Sequence, residues 1–291
     1  MAERLPLSIV ILTLNEAARL PACLASVAAC DDVVVIDSGS TDATVEIARA
    51  AGARVFTNRF VNFAAQRNFA HATAGFRHPW VFHLDADEHL TPELLEECRR
   101  IAAANPPLDG CYAAPRMRFE GRWLPRCTDY PAWQARFVRR EGFSFVQHGH
   151  GQREAPGLRL GYLQAGYDHD ITFASEAEWE AKHRRYAREE AAEVLRHSAT
   201  FGQLLKRAVA GHGLERRRAL KQLSHSLPAR PLLRFVYQYI LRGGFLDGTG
   251  SWRYCRLLAR YEGFTAQELK RLKAAPNQRL HAIYRQKAVS C

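Results

Sequence analysis

Trp80-Val81-Phe82-His83-Leu84-Asp85-Ala86-Asp87-Glu88 reads as a hydrophobic strand that runs straight into a cluster of carboxylates. Similar strand ends stand upstream. Leu7 to Leu12 is an unbroken aliphatic run, as expected of a strand buried on both faces, and it opens onto Thr13-Leu14-Asn15-Glu16. Val33 to Ile36 forms a second strand that ends at Asp37, followed by the loop Ser38-Gly39-Ser40-Thr41-Asp42. Helical signals lie between these strands. Asn15 is placed to cap a helix on which Leu20, Leu24 and Val27 share one face, Thr44 to Ala51 stops at Gly52, and Asn62 to Ala72 follows the short strand Ala53 to Thr57. Thr91 caps a further helix, with Pro92 at its first position and Glu93 in its first turn. This alternation predicts an α/β fold whose parallel sheet is covered on both faces.

In an open sheet of this kind ligands bind beyond the carboxyl ends of the strands, so Asp37, Asp85 and Asp87 are expected to face one crevice. Carboxylates gathered there repel unless a cation or hydrogen-bond donors compensate. The spacing of Asp85 and Asp87 puts both on one side of an extended strand end, which suits a hard divalent cation that keeps positions open for phosphate oxygens. Neither G-x-x-x-x-G-K-[ST] nor G-x-G-x-x-G follows the first strand, which counts against P-loop and dinucleotide-binding readings and against a nucleotidyltransferase. Short polar side chains stand there instead, suited to holding a base or ribose, and Arg67 in Ala65-Gln66-Arg67-Asn68 is a candidate partner for a diphosphate.

The 291 residues are 47% hydrophobic, enough to bury a real core and to exclude wholesale disorder. The 41 basic and 30 acidic side chains leave a net charge of +11 that is unevenly spread. Residues 1–200 carry 23 basic and 26 acidic groups, net −3, and residues 201–291 carry 18 and 4, net +14. A chain polarised in this way fits a polyanionic partner such as an acidic membrane surface or nucleic acid. Seven cysteines with no C-x-x-C pair argue against a zinc site or disulfide framework and for a reducing compartment. The N-terminal apolar run is too short for a span and lacks a small-residue cleavage site, so a cytoplasmic location is expected.

From Asn105 to about His169 periodicity weakens and aromatic, Gly, Pro and Arg residues intermix, the texture of binding loops and short strands. Ser175 and Glu178 form a capping box for a helix reaching about His197, on which Trp179, His183 and Tyr186 share a packing face. Domains at 1–172 and 173–291 are expected, the second helical and basic. Gly211, Gly213, Pro228, Pro231 and the Gly243-Gly244 pair punctuate it. Within it Leu232 to Leu246 is interrupted by Arg234 and Arg242, which suits an interfacial or buried helix rather than a span. Arg230, Arg234, Arg242, Arg253 and Arg256 alternate with Phe235, Tyr237, Tyr239, Ile240, Phe245, Trp252 and Tyr254, a pattern that serves a membrane interface or stacks on RNA bases.

Taken together, Thr13-Leu14-Asn15-Glu16, the Asp37 to Asp42 loop, Ala65-Gln66-Arg67-Asn68 and Leu84-Asp85-Ala86-Asp87-Glu88 resemble, in order and spacing, the family 2 inverting nucleotide-sugar glycosyltransferases. The resemblance covers about residues 5–95 and implies a Rossmann-like, glycosyltransferase A type domain. It implies that Thr13, Asn15, Glu16 and Asp37 lie near the nucleoside, Arg67 near the diphosphate, Asp85 toward ribose or metal, and that Asp87 is the main ligand of Mg2+ or Mn2+. Arg122-Trp123 through Trp133-Gln134-Ala135-Arg136, followed by His148-Gly149-His150-Gly151-Gln152-Arg153-Glu154, is similar to the subgroup that builds lipopolysaccharide core or exopolysaccharide. Many of its members carry Asp where Ala132 stands here, and Asp129 lies three residues earlier.

Inverting transfer needs a carboxylate that takes the acceptor proton. Glu154 is the first candidate, with His150 or Arg153 to orient it or bind diphosphate, and Asp129 is the second. His169 is a candidate metal ligand or phosphate contact. The expected activity is metal-dependent transfer of a sugar from a nucleoside diphosphate to a lipid-linked or polysaccharide glycan acceptor at the inner face of the cell membrane, with no nucleic acid partner. The competing reading is a non-catalytic basic adaptor, which has no need of Asp37, Asp85, Asp87 and Arg67 together.

Overall fold

The computed structural model describes residues 5–148, 151–173, 175–196, 200–210, 213–224, 227 and 229–274. Four strands, β1 (Leu5–Thr13), β2 (Cys30–Asp37), β3 (Arg54–Thr57) and β4 (Trp80–Asp85), lie parallel in the spatial order β3-β2-β1-β4. Their side chains alternate between two apolar layers. Ile9, Ile11, Trp80, Phe82 and Leu84 enter the layer shared with helices α1 (Leu20–Ser26) and α4 (Pro92–Ala104). Val10, Leu12, Val34, Ile36 and Val81 enter the opposite layer, under α3 (Phe63–Thr73), and α2 (Thr44–Ala50) joins β2 to β3. Each fully buried aliphatic side chain contributes about 1.5–3 kcal/mol, so both faces of the sheet are firmly specified.

The capping signal at α4 is used as the sequence predicts, and α3 has a side-chain cap in Asn62. The Asn62 side chain accepts from the Ala65 N–H at 2.8 Å, and Thr91 accepts from Leu94 at 3.2 Å ahead of Pro92. Asn15 departs from expectation. It takes a left-handed φ of 55° and its Oδ1 accepts from the Thr41 N–H at 2.8 Å, so it ties two loops together, while α1 starts at Leu20 without a side-chain cap.

Beyond β4 the sheet continues with β6 (Gly110–Ala113), β9 (Gln134–Arg139) and β12 (Leu160–Tyr162), giving the order β12-β6-β9-β4-β1-β2-β3. Strand β9 runs antiparallel to both β4 and β6. Its first residues therefore lie beside the carboxyl end of β4. A second, four-stranded sheet orders β5 (Glu88–His89), β13 (Tyr167–Asp170), β7 (Pro115–Phe119) and β8 (Arg122–Trp123), and pairs His169 with Glu88 and Asp168 with His89. Strands β10 (Phe145–His148) and β11 (Gly151–Glu154) form a hairpin. Asn68 of α3 clamps it, donating to the Phe145 carbonyl and accepting from the Phe145 N–H, both at 2.9 Å.

By its internal contacts the chain divides into two compact units, one of residues 1–125 and 129–172, the other of residues 126–128 and 173–291. In the second unit α5 (Glu176–Arg196) and α9 (Thr249–Ala274) share a core of Ala191, Leu195, Leu269 and Leu272. The Glu178 N–H meets Ser175 Oγ at 3.2 Å, as the capping box requires, and Trp179 stacks on His183 with ring centroids 4.0 Å apart, in keeping with the packing face. The stretch 232–246 is not one helix. It comprises the end of α8 (Arg230–Phe235), a π-helical turn over Val236–Leu241 and a 3-10 turn over Gly244–Asp247, broken at Gly243, whose φ of 70° favours glycine. No helix among the described residues is long and apolar enough to cross a membrane.

Asp32 anchors the edge of the parallel sheet. Its buried carboxylate accepts from Ser8 Oγ at 2.6 Å, the Arg77 N–H at 2.8 Å and Arg54 Nη2 at 2.7 Å. Burial pushes its pKa up, but these donors and the Arg54 charge outweigh burial and hold it below the usual carboxylate range. A depressed folded-state pKa adds stability that is present above the unfolded value, near 3.9, and is lost as the pH falls through the folded one. Asp32→Asn is expected to cost about 1–3 kcal/mol at pH 7. The gap to the unmodified protein should narrow from pH 5 to pH 3, as measured by thermal unfolding across that range.

Candidate active site

Asp85, Asp87 and Glu88 do not lie along one extended strand. Strand β4 ends at Asp85, residues 86–87 turn with Ala86 buried, and β5 begins at Glu88. This corrects the expectation that Asp85 and Asp87 lie on one extended strand end.

Glu88 turns inward and is almost fully buried. Its Oε2 accepts from the Asp85 N–H at 2.8 Å and its Oε1 accepts from Arg136 Nη2 at 2.7 Å. Arg136 also reaches Asp85 Oδ2 at 3.4 Å, donates to the His83 carbonyl at 3.3 Å and lies 5.2 Å over the Tyr167 ring. Arg67 Nη2 donates to Asp85 Oδ1 at 2.8 Å. The Arg67 side chain is 1% exposed, so it faces Asp85 from within the protein rather than from an open crevice. Asp85 is therefore gripped by two guanidinium groups, which overcome the upward push of burial and hold its carboxyl below the usual range.

Asp87 faces a different neighbour. His169 Nε2 stands 3.4 Å from Asp87 Oδ2, and the Asp170 N–H donates to the Asp87 carbonyl at 3.0 Å, so β13 supports the turn from the outside. The Asp168 carboxylate is held at 2.7 Å by both Arg116 and Arg118, which fixes β13 in turn. Three carboxylates stand here with two arginines and the His169 imidazole, and their fields act on one another. Burial pushes Glu88 up to about 7, with Arg136 opposing and Asp85 and Asp87 adding to the rise. Burial pushes the His169 imidazole down, but Asp87, Glu88 and Asp85 overcome it and hold its pKa above the ordinary value.

The loop after β2 is self-contained. Asp37 Oδ1 accepts from Thr13 Oγ1 at 2.9 Å and Ser40 Oγ at 2.6 Å, and Oδ2 accepts from the Gly39 and Ser40 N–H groups at 2.9 and 2.8 Å. Gly39 has a φ of 97°, where a side chain is strained, so this closure favours glycine. Asp37 is buried and its four acceptances shape the loop rather than project into a crevice. Asn15 joins the same loop through its N–H, which donates to Ser40 Oγ at 2.8 Å, and the Glu16 N–H donates to Thr44 Oγ1 at 2.8 Å. Thr13, Asn15, Glu16 and Asp37 thus form one hydrogen-bonded rim at the carboxyl ends of β1 and β2.

Glu154 lies opposite Phe145 on the β10–β11 hairpin. The Phe145 ring lies 5.9 Å under the Arg67 guanidinium and meets His83 edge-on at 4.9 Å, so the hairpin carries Glu154 onto the same side of the sheet as Arg67. Tyr112 Oη donates to Glu154 Oε1 at 2.7 Å. Asp129 is exposed and precedes the cis Tyr130-Pro131 bond. Gly149 and His150 lie outside the described residues, as do Gly211 and Pro228.

The sequence motifs contain Glu88 and Arg136 but imply a role for neither, and no motif marks Tyr112. The signal for Arg136 was its alternation with Gln134 after Trp133, but its meeting with Asp85 follows only from the antiparallel pairing of β9 with β4.

Residues 8–153 match Glycosyl transferase family 2, half of the chain. The protein belongs to that family. An uncharacterized glycosyltransferase of Rickettsia bellii is 39% identical over 99 residues, 34% of this chain and 33% of that protein. The lipopolysaccharide core biosynthesis glycosyltransferase LpsC of Rhizobium meliloti is 36% identical over 121 residues, 40% of this chain and 44% of that protein. The chain thus matches less than half the length of either relative. Among solved structures, the mannosyltransferase PcManGT of Pyrobaculum calidifontis, in complex with GDP-Man and Mn2+, is 16% identical with a TM-score of 0.51, over 92% of this chain and 88% of that one. It supports the Rossmann-like glycosyltransferase A type fold.

Proposed function

We propose that the protein transfers a sugar, with inversion, from a nucleoside diphosphate sugar to a hydroxyl of a lipopolysaccharide-core or exopolysaccharide glycan, using Mg2+ or Mn2+. The observation that carries this reading is the division of labour among the clustered carboxylates: Asp85 and Glu88 are neutralised by Arg67 and Arg136, and Asp87 is turned toward His169. LpsC, by its name a lipopolysaccharide core enzyme, and PcManGT, solved with a nucleotide sugar and Mn2+, point the same way.

The residues fit a divalent cation that takes part of its shell from the donor. Among the described residues no group of three His, Cys, Asp or Glu side chains is placed to hold a metal alone. One carboxylate and one imidazole, Asp87 and His169, would hold the ion, with Asp85 alongside for it or for the ribose. When bound, the cation supplies positive charge against the departing diphosphate. Thr13, Asn15, Glu16 and Asp37 frame the nucleoside. Arg67 and Arg136 stiffen Asp85 and add positive field behind the diphosphate. Glu154 takes the proton from the acceptor hydroxyl as its oxygen bonds to the anomeric carbon, and the bond from that carbon to the diphosphate breaks with its electron pair on the leaving oxygen.

The second unit supplies a membrane-facing element in this proposal. Leu232, Leu233, Tyr237, Ile240, Leu241, Phe245, Leu246 and Trp252 are all exposed, within the part of the chain that carries +14. Phe235, Tyr239 and Trp252 pack ring against ring at 4.9–5.3 Å and support this surface. Arg230 is removed from the set expected to meet lipid headgroups: it is buried and paired with Glu262 at 2.6 Å. An apolar surface set among arginines suits an anionic bilayer interface on the cytoplasmic side.

Three measurements test the proposal. Asp87→Ala is expected to lower turnover by about 10²-fold or more with the fold intact, and full activity of the unmodified protein in excess chelator overturns the metal assignment. Glu154→Gln keeps the shape but cannot accept the proton, so turnover should fall by about 10²-fold while donor affinity changes little. If Asp129→Asn has that effect and Glu154→Gln does not, Asp129 is the base. In vesicle sedimentation, binding should strengthen with anionic lipid and weaken with salt, at about 1 kcal/mol for each basic residue near the surface, and Leu241→Asp with Leu246→Asp should abolish it. Equal binding to neutral and anionic vesicles, indifferent to salt, removes the electrostatic account.

A further inference from the structure

Three aromatic residues meet at the end of the large sheet, on the side of β4 away from the Asp37 loop. Tyr112 of β6 and Tyr162 of β12 are partners in the parallel register, and their rings lie 5.2 Å apart. Trp133, immediately before β9, meets Tyr162 at 5.0 Å with the ring planes at 76°. Tyr162 is 56% exposed and Trp133 40% exposed. Large rings left in water beside a packed core commonly mark a surface that a ligand covers. A chemical link ties these rings to the reaction, because Tyr112 Oη donates to Glu154 Oε1 at 2.7 Å.

We propose that Trp133 and Tyr162 form a stacking platform for a pyranose ring of the acceptor glycan, and that Tyr112 is a positioning residue that holds Glu154 toward that sugar's hydroxyl. The proposal rests on the reading of Glu154 as the base. A pyranose suits such a corner, since the apolar C–H face of the sugar packs on an aromatic face while its hydroxyls project sideways to polar groups. An indole and a phenol at nearly right angles present one flat face and one flanking edge.

The sheet order decides between acceptor and donor. Strand β12, which carries Tyr162, lies three strands from β4 on one side, and β2, which ends at Asp37, lies two strands from β4 on the other. At about 4.8 Å per strand, that separates Tyr162 from the nucleoside rim by about 24 Å. The rings therefore stand on the side from which an acceptor approaches, next to the carboxylate that takes its proton.

The test separates binding from turnover. A lipid-free lipopolysaccharide core oligosaccharide is titrated into the full chain by calorimetry, with UDP and GDP titrated separately. Trp133→Ala and Tyr162→Ala are expected to weaken oligosaccharide binding about 10-fold or more, which corresponds to about 1.4 kcal/mol each, and Trp133→Phe to restore most of it. Nucleotide binding should be unchanged in every variant, which also shows that each is folded. Tyr112→Phe keeps its ring and should leave oligosaccharide affinity intact while lowering kcat, a split that a purely structural role does not produce. Unchanged oligosaccharide affinity in both alanine variants, weakened nucleotide binding instead, or no oligosaccharide binding by the unmodified protein overturns the platform. If binding behaves as expected but Glu154→Gln retains full turnover, the platform stands and the assignment of the base fails.

Discussion

A buried pairing of two arginines with two carboxylates governs the geometry at the end of β4. Arg136 and Glu88 are both nearly inaccessible, and neither charge is tolerable there alone, since removing an ion from water costs several kcal/mol and an unpaired one keeps that cost. The requirement to satisfy both fixes how four elements meet. Arg136 comes from β9, Glu88 from β5, Asp85 from β4 and Arg67 from α3. The Glu88 carboxylate also caps the Asp85 N–H, which forces the chain to turn after β4 instead of running on. That turn lies between Asp85 and Asp87.

The consequence for chemistry is a graded set of carboxylates in four consecutive residues. Glu88 is structural, Asp85 is held ionised between two guanidinium groups, and Asp87 faces an imidazole at the outer side of the turn. Placement, rather than residue type, assigns these roles. The loop after β2 shows the same economy: the Asp37 carboxylate accepts four hydrogen bonds that fold Ser38 to Asp42 around Asn15 and Thr13, so the loop is held in one shape.

A second pattern concerns how remote segments reach the site. The β10–β11 hairpin has little core of its own, and it is fixed by the paired hydrogen bonds of Asn68 and by Phe145 under Arg67. The segment that carries Glu154 is thereby attached to the helix that carries Arg67. A one-residue slip of the hairpin would turn Glu154 to the opposite face, so the clamp also sets the register on which the proposed base depends.

Much of the first hundred residues was legible as sequence, because the determinants there are local. Continuous aliphatic runs give buried strands, Asn62 and Thr91 give helix starts, and the carboxylates at strand ends mark the functional edge of an α/β sheet. Asn15 misled for an equally physical reason, since a residue that favours helix caps also favours the left-handed conformation in which it ties two loops. What tertiary structure alone decided lies in the pairings across long separations: β9 against β4, which brings Arg136 to Asp85, β13 against β5, which brings His169 to Asp87, and β12 beside β6, which sets Tyr162 against Tyr112. Residue type and local periodicity carry no information about which strand lies beside which, because that choice is made by the burial of whole faces and the neutralisation of buried charge. Arg230 is the clearest case. Its neighbours in sequence read as a surface, and Glu262, thirty-two residues away, draws it into the interior.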